Sequence, residues 1–419
     1  MVNNGEVAIF GQGPAGVSCA KNLLERGLKV TAFRPLVNRA SRSVYTTSIE
    51  AAETLQYDPD SVRELSLFRV ITTYGVDVRM KTPGSYFMVD NQAFIDQAAI
   101  LLQGSGLEPI KLPKKTLKQI GIKEFRDKVE VQIDGAEKSF DFVVDCTGVD
   151  AEIVTKLDPT RLQKDFLAEY VYGGAFRGSM DQDELAIVVG PAGGTSWVCP
   201  SVIPGLIDVV FSAWGPASMF KSSFLPSARL RLQILKHFLA NKPGINIESQ
   251  KAEEIYCGMI RSHPTPKTSF NRIFAVGEAA GMARPMTGDS IRFALKGGEL
   301  LAQAIDKGIN ASSFQKSWQR DWNCDLFLAW ALTRLPNQQN GELGKRERFL
   351  NQALDQNPNL VKDAEDLIIR GITHPRLIWT LIQDPTIGLF LSNLLLKRAE
   401  IWFKGNDNIG IPWTLPEVD

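Results

Sequence analysis

Residues 7–16 read VAIFGQGPAG, and this segment decides the fold of the chain. Four apolar residues, as in a buried strand, run into a Gly-x-Gly-x-x-Gly turn, and a helical pattern follows over residues 17–26. A second strand pattern over residues 29–33 completes a βαβ unit. Glycines at these spacings permit the turn, the approach of a phosphate to the backbone and close packing of the helix. We therefore predict that a dinucleotide pyrophosphate binds at the helix N-terminus, against Gly11, Gly13, Pro14, Ala15 and Gly16.

The composition excludes several classes of protein. The chain has 419 residues with 47 basic and 47 acidic side chains, so it lacks the basic excess typical of nucleic-acid binding. Its five cysteines show no Cys-x-x-Cys spacing, which argues against a disulfide framework or a zinc site, and we expect no metal. The N-terminus lacks the basic segment of a signal peptide, and no apolar run approaches the roughly 20 residues of a membrane span. We expect a cytoplasmic protein without a transmembrane segment.

A second motif lies far along the chain. Residues 272–281 read RIFAVGEAAG, an apolar strand followed by Gly-Glu, and residues 285–290 read PMTGDS. This arrangement resembles the ribityl-binding motif of flavoproteins with the two-dinucleotide fold, where a strand ends in Gly-Asp and a Pro-x-x-Gly loop begins a helix beneath the flavin. The resemblance implies FAD, with the helix N-terminus stabilising negative charge on the reduced ring. It implies flavin or ribityl contacts from Gly277, Glu278, Pro285, Gly288, Asp289 and Ser290.

Two further segments extend the resemblance. The strand pattern at residues 138–145 leads into Asp-Cys-Thr-Gly, like the strand that passes the adenosine half of FAD, and residues 195–200 read TSWVCP. Together the motifs resemble the FAD-dependent oxidoreductases that include aromatic hydroxylases, geranylgeranyl reductases and flavin-dependent halogenases. The reductases carry Tyr-x-Trp-x-Phe-Pro in the last of these strands, and here the Trp and Pro match while the Tyr and Phe do not. The halogenase signature Gly-Trp-x-Trp-x-Ile-Pro does not occur in the sequence.

The resemblance implies an α/β fold in which an FAD-binding Rossmann-type domain, of the two-dinucleotide and hydroxylase-like kind, is interleaved with an antiparallel-sheet substrate domain and followed by a helical C-terminal region. We assign the FAD-binding domain to residues 1–45, 85–150 and 266–311, the substrate domain to residues 46–84 and 151–265, and the helical region to residues 312–419. The aromatic and β-branched runs of the substrate domain predict strands at residues 170–176, 184–189, 195–199, 206–214 and 254–260.

The end of the second strand departs from the family pattern. An acidic residue usually binds the adenosine ribose there, whereas this chain has Arg34. An arginine cannot accept hydrogen bonds from ribose hydroxyls, so an interaction of about 1–3 kcal/mol would be missing and FAD would bind loosely. Arg34 and Arg42 can reach the phosphates of FAD or of a nicotinamide cofactor, and a solvated basic loop explains them equally well.

Four residues are candidates for the catalytic site. Trp197 and Trp214 fall on predicted strands whose counterparts in the family wall the pocket that faces the flavin, although an ordinary sheet core would also explain them. His263 precedes the ribityl motif and is a candidate base. The resemblance implies that Pro285 lies over or beside the flavin ring.

The resemblance implies an FAD-dependent monooxygenase that takes hydride from NADH or NADPH as a transient reductant and uses dioxygen to oxygenate an aromatic or apolar substrate. A Trp of a partner protein, as in quinone-cofactor maturation, is a further substrate hypothesis. Two alternatives are a prenyl or lipid reductase and a non-catalytic protein that has kept the FAD fold. Apolar stripes on the C-terminal helices allow peripheral membrane contact or a protein partner, with packing against the body as the default.

Overall fold

The computed structural model describes most of the first three quarters of the chain. The described residues are 5–36, 43–46, 62–73, 75, 77–104, 107, 109–157, 167–191, 195–261, 270–283, 290–310, 313–318, 359 and 363. Within them, the strands form a five-stranded parallel sheet, a nine-stranded sheet and a three-stranded sheet.

The strands are β1 (Glu6–Phe10), β2 (Lys29–Leu36), β3 (Ser43–Thr46), β4 (Val62–Thr72), β5 (Asp77–Asp90), β6 (Ile110–Pro113), β7 (Gly121–Glu124), β8 (Val129–Ile133), β9 (Ala136–Phe140), β10 (Phe142–Asp145), β11 (Leu167–Ser179), β12 (Glu184–Val189), β13 (Thr195–Pro200), β14 (Leu206–Pro216), β15 (Asn246–Ile247), β16 (Glu254–Arg261) and β17 (Ile273–Ala275). The α-helices are α1 (Pro14–Leu24), α2 (Asn91–Gly104), α3 (Lys114–Gln119), α4 (Val154–Leu157), α5 (Leu225–Leu239) and α6 (Ile291–Asp306). Short 3-10 helices span Gly148–Asp150 and Gly277–Ala280, and a π-helical turn at Phe220–Phe224 leads into α5.

The parallel sheet has the strand order β17-β10-β1-β2-β6. Its central strand β1 is buried from Val7 to Phe10, because both faces of a parallel sheet are covered. Helices α1 and α6 pack closely on each other: the Ser18 hydroxyl donates to the carbonyl oxygen of Leu295 at 2.6 Å, and a Cβ on Gly298 would lie 2.6 Å from Ser18 Oγ. This contact joins the first βαβ unit to the helix that follows the second motif.

The nine-stranded sheet has the order β15-β11-β14-β13-β12-β4-β5-β3, and β16 pairs with β11. Within the described residues, neighbouring strands of this sheet are antiparallel, except that β4 and β12 are parallel. Helix α5 covers one face, where its buried leucines pack against aromatic side chains of β11 and β14, among them Tyr172, Phe176 and Phe211. Because side chains alternate between the two faces of a strand, the residues next to these aromatic residues on β11 and β14 point to the face away from α5.

An ion-pair network around the buried side chains of Arg69 and Glu184 joins three strands of the large sheet. The Arg69 guanidinium on β4 donates two hydrogen bonds to the Asp77 carboxylate, at 2.6 and 2.7 Å. It also lies 3.3 Å from Glu184 of β12, which pairs with Arg79 of β5 at 2.8 Å. The bond from Arg69 lowers the pKa of Asp77, so the carboxylate stays ionised and balances the buried cation. The network fixes the only parallel pair described in this sheet.

The five strands predicted for the substrate domain are confirmed within about three residues at each end. Two of these strands, β12 and β13, pair as antiparallel neighbours. The α/β fold with one parallel sheet and one predominantly antiparallel sheet is therefore as the sequence predicts. The domain boundaries themselves stay a prediction.

One strand prediction is corrected in detail. The pattern at residues 138–145 forms two strands: β9 completes a hairpin with β8, whereas β10 lies in the parallel sheet between β1 and β17. The break falls at Asp141, whose carboxylate accepts a hydrogen bond from the Glu6 amide at 2.7 Å. Residues 86–90 are part of β5, which pairs with β4 in the large sheet.

Most of the predicted helical C-terminal region, residues 312–419, lies outside the described residues. The described part from residue 313 to residue 318 is helical, and Phe314 and Trp318 are buried in the core that surrounds the parallel sheet. In the described residues, no helix is long and apolar enough to cross a membrane.

Candidate functional site

The turn between β1 and α1 has the geometry that the glycine spacing predicts. Gly11 has a φ of +108°, and a Cβ on it would lie 2.0 Å from the carbonyl oxygen of Cys146. A Cβ on Gly16 would lie 2.0 Å from the carbonyl oxygen of Gly11. Both positions need glycine because backbone atoms occupy the space that a side chain would take.

Gly13 differs from the other two glycines. No atom lies within 4 Å of the point where its Cβ would be. Gly13 immediately precedes Pro14, the first residue of α1, and no side chain hydrogen bond caps this helix among the described residues. The first amides of an uncapped helix lack acceptors, and the helix dipole favours negative charge at this end. The open space in front of α1 therefore fits a phosphate group.

Gln12 lies between these glycines and is a site residue that the sequence analysis did not select. Its side chain is only 8 % exposed, yet neither its amide oxygen nor its amide nitrogen has a hydrogen-bond partner among the described residues. A buried amide without partners costs free energy unless a ligand or water satisfies it. Gln12 therefore offers one donor group and one acceptor to a molecule bound in front of α1.

The second motif packs directly on the first. Gly277 follows β17 with a φ of +70°, and a Cβ on it would lie 2.8 Å from the Cβ of Ala15. The Val276 amide donates to the carbonyl oxygen of Asp145 at 3.0 Å, which links the ends of β17 and β10. The two motifs are far apart in the sequence, and the parallel sheet brings them to the same edge.

Glu278 lies at this edge, beside the loop that follows β10. Its Oε2 atom is 4.0 Å from the point where a Cβ on Gly148 would be. Burial of the carboxyl group raises the pKa of Glu278, whereas a hydrogen bond with Ser290 and the charge of Arg261 oppose that rise. Ser290 stands directly before α6. Glu278 thus presents acceptor oxygens between two loops and the start of a helix.

Arg261 is the second site residue that the sequence analysis did not select. It is the last residue of β16 and only 2 % exposed, although it belongs to the large sheet. Burial lowers the pKa of Arg261, and attraction to the carboxylates of Asp145, Glu278 and Asp150 opposes this effect. The end of β16 contacts the 3-10 helices that contain Gly148 and Glu278. Arg261 therefore connects the large sheet electrostatically to the site on the parallel sheet.

Asp145 holds the loop after β10 in place. Its carboxylate accepts hydrogen bonds from the Thr147 amide, the Thr147 hydroxyl, and the amides of Ile153 and Val154, at 2.6–2.9 Å. These bonds satisfy a fully buried carboxylate and close the loop around it. The Asp-Cys-Thr-Gly segment is thereby fixed beside Glu278.

The face of the large sheet that points away from α5 carries three successive rows of paired residues. The register gives them as Tyr256–Gly173–Val210–Trp197, Gly258–Val171–Ser212 and Ile260–Glu169–Trp214. Trp197 is partly exposed and packs against Val210. The third row adjoins Arg261, so this face leads from Trp197 to the edge of the sheet that contacts the site at Glu278.

The structure places several of the other predicted residues. Arg34 is partly exposed near the end of β2, where its Cα pairs with that of Lys111. The backbone of Trp214 pairs with Glu169 in the third row. Phe211, on the same strand as Trp214, packs against Tyr172 and Phe224 on the α5 side. The remaining predicted residues lie outside the described part of the chain: Arg42, His263, Pro285, Gly288 and Asp289.

A third residue, Glu169, was not selected from the sequence, although the sequence contained a signal for it. Glu169 interrupts a strand of aromatic and small residues, LAEYVYGGAF, and an acidic residue inside such a strand is unusual unless it has a partner or a role. Gln12 gave no signal because the glycine motif leaves its position free. Arg261 gave none because its role depends on where β16 ends in space.

The fold matches those of several solved structures. A geranylgeranyl bacteriochlorophyll reductase-like protein from Thermoplasma acidophilum superposes with a TM-score of 0.65 at 15% identity, over 87% of this chain and 99% of that chain. The flavin-dependent halogenase CmlS gives a TM-score of 0.60 at 16% identity, over 86% of this chain and 72% of that one. An HpxO variant from Klebsiella pneumoniae, complexed with FAD, gives 0.58 at 14% identity, over 84% and 98%.

These similarities show that the chain has the fold of the FAD-dependent oxidoreductases, as its two motifs predict. At such low identity they establish the architecture, and the chemistry has to be argued from this chain's own residues. No protein-family model matches the sequence. No curated protein matches it either.

Proposed function

We propose that this protein binds FAD and acts as an FAD-dependent monooxygenase, with NADH or NADPH as a transient reductant. One observation carries the proposal: Gly277 of the second motif packs on Ala15 of the first, in front of a helix N-terminus that is open at Gly13. A site for a pyrophosphate and a carboxylate for a sugar-like chain are therefore neighbours, which is the arrangement that an extended dinucleotide requires.

The residues present fit FAD in chemical terms. The amides at the start of α1 and the space at Gly13 suit the pyrophosphate, and the Gln12 amide can satisfy its buried polar atoms on the same ligand. Glu278 can accept hydrogen bonds from ribityl hydroxyls while Ser290 holds it in place. Bound flavin would supply hydride acceptance and the activation of dioxygen. Arg261 would add positive charge at this edge of the site.

The large sheet supports an aromatic or apolar substrate. Trp197 and its neighbours form a partly exposed apolar surface on the face that leads to Glu278. Such a surface binds a ring through burial of apolar area, and its shape orients the reacting carbon. A Trp side chain of a partner protein would satisfy the same requirement, so it belongs to the same proposal as a second possible source of the ring.

The test is a visible spectrum of the purified protein after addition of FAD, followed by NADH or NADPH under air and under nitrogen. We expect flavin bands that bleach with the nicotinamide and recover in air with consumption of dioxygen. Gly13→Ala should weaken FAD binding while the fold persists, since the space at Gly13 is open. A wild-type protein that cannot be loaded with FAD would refute the enzyme proposal and favour a non-catalytic protein with this fold.

A second candidate function is reduction of an alkene in a prenyl or lipid chain. It is favoured by the similarity to the reductase-like Thermoplasma protein, which extends over 99% of that protein's length. The same spectrum separates the two candidates, because a reductase must protect its reduced flavin from dioxygen. Flavin that stays reduced in air for many turnover times would favour the reductase.

A further inference from the structure

Glu169 is a buried carboxylic acid that no step of FAD binding uses. It lies on β11, on the face of the large sheet that points away from α5, and has no exposed surface. Neither of its carboxyl oxygens has a hydrogen-bond partner of normal geometry among the described residues, although the Ser212 hydroxyl is near enough to influence its pKa. A buried carboxyl group that has at most the Ser212 hydroxyl as a partner in the described part of the chain is costly, so a ligand that donates a hydrogen bond to it would be favoured.

The neighbours of Glu169 leave room for such a ligand. In the adjacent row, no atom lies within 4 Å of the point where a Cβ on Gly258 would be, and its pairing partner Val171 is partly exposed. Successive rows on one face of a sheet are about 7 Å apart, close to the length of a bicyclic aromatic ring. The open space at Gly258 therefore adjoins Glu169, one row along and one strand across on the same face of the sheet.

Glu169 is also close to the proposed flavin site. Its Cα pairs with that of Ile260, and paired residues of antiparallel strands have Cα atoms about 5 Å apart. Ile260 precedes Arg261, whose charge acts on Glu278. A ring bound over Gly258 would lie beside the carboxyl group of Glu169, close to the end of β16 that contacts the 3-10 helix containing Glu278.

We propose that Glu169 accepts a hydrogen bond from an N–H or O–H group of an aromatic substrate whose ring lies over Gly258. The inference rests on the proposed function and narrows it to electron-rich rings that carry one hydrogen-bond donor, such as indoles and phenols. Glu169 is thus a residue that determines substrate specificity.

The protonation state of Glu169 supports the assignment. Burial raises the pKa of Glu169 to about 8, and the Ser212 hydroxyl opposes the rise. A neutral carboxyl group accepts a hydrogen bond through its carbonyl oxygen, and the ionised form accepts a stronger one. A donor ligand therefore lowers the pKa of Glu169, so the ligand should bind more tightly as the pH rises toward 8.

The test compares indole with 1-methylindole, which lacks the N–H donor, by calorimetric titration of the FAD-loaded protein and of the apoprotein. The wild type should bind indole about tenfold more tightly than 1-methylindole, the effect of one hydrogen bond to a buried acceptor. Glu169→Leu should bind both ligands equally. Glu169→Gln should keep the preference, through its amide oxygen, and lose the pH dependence. Tyr172→Phe is the control, since it removes a hydroxyl on the opposite face of the same strand.

A preference for indole that survives in Glu169→Leu would overturn the proposal, and so would a wild type without any preference. If Glu169→Leu does not fold, the pH profile decides: pH-dependent indole binding by Glu169→Gln would contradict the assignment. The FAD titration of the wild type reports on the proposed function separately. Indole binding by the apoprotein tests Glu169 even if the protein takes up no flavin.

Discussion

One half of the proposed site is built from backbone groups, and the other half is built from side chains. At the edge of the parallel sheet, the site consists of backbone: glycines at positions 11, 13 and 16, helix amides, and the packing of Gly277 on Ala15. On the large sheet, the site consists of side chains on regular strands, with Glu169 and Trp197 on one face. Backbone sites demand particular residues at particular spacings, whereas a strand face accepts almost any residue of suitable size.

The largest expected effect on stability is at Gly11, where one added methyl group would disrupt the backbone half of the site. Gly11→Ala places a Cβ 2.0 Å from the Cys146 carbonyl oxygen at a positive φ, so we expect a loss of at least about 3 kcal/mol in the free energy of unfolding. Urea denaturation measures it. Gly13→Ala is the matched control and should change the free energy of unfolding by less than about 0.5 kcal/mol. Equal destabilisation by both substitutions would contradict the distinction between them.

This contrast explains how much the sequence could predict. The glycine turn, the strand β17 of the second motif and five of the nine strands of the large sheet were predictable, because each depends on local patterns of glycine or of alternating apolar residues. The split of residues 138–145 at Asp141 was not, because the apolar pattern continues across the break and only the tertiary contact with Glu6 ends the strand. The roles of Gln12 and Arg261 depend on burial, which a single sequence does not reveal, whereas Glu169 interrupts an apolar strand and could have been selected.

A second prediction concerns the side-chain half and the pH dependence of stability. The pKa of Glu169 is about 8 in the folded protein and near 4.5 in the unfolded chain, so between these values the unfolded chain binds fewer protons. Stability should therefore fall as the pH rises from about 5 to 8, by a few kcal/mol. Glu169→Gln should remove most of this fall in urea denaturation at pH 5 and pH 8.

The control for that measurement is Glu137→Gln, because Glu137 is exposed on β9. It should leave the pH dependence of the free energy of unfolding as in the wild type. An unchanged pH dependence in Glu169→Gln would show that the buried carboxyl group does not limit stability. The side-chain half of the site would then not differ from the backbone half in its effect on the pH dependence of stability.

A third prediction concerns Gln12, a side chain that lies within the backbone half of the site. Its buried amide has no partner among the described residues, so Gln12→Leu should stabilise the apoprotein by about 1 kcal/mol because an unsatisfied polar group is removed. The same substitution should weaken FAD binding. Thermal unfolding with and without FAD measures both effects. A variant that loses stability in the apoprotein would show that the amide is already satisfied.

The smallest expected effect is at Arg34, where the backbone half meets a side chain that departs from the family pattern. Arg34→Glu restores a carboxylate near the end of β2, where ribose hydroxyls of a bound dinucleotide would need an acceptor. We expect FAD affinity to rise by about tenfold, the effect of one charge-assisted hydrogen bond, in a fluorescence titration. Arg34→Gln supplies a neutral acceptor and should give a smaller gain. A loss of affinity in both variants would mean that Arg34 contacts the phosphates, and that the backbone of the glycine turn needs a cation to complete its site.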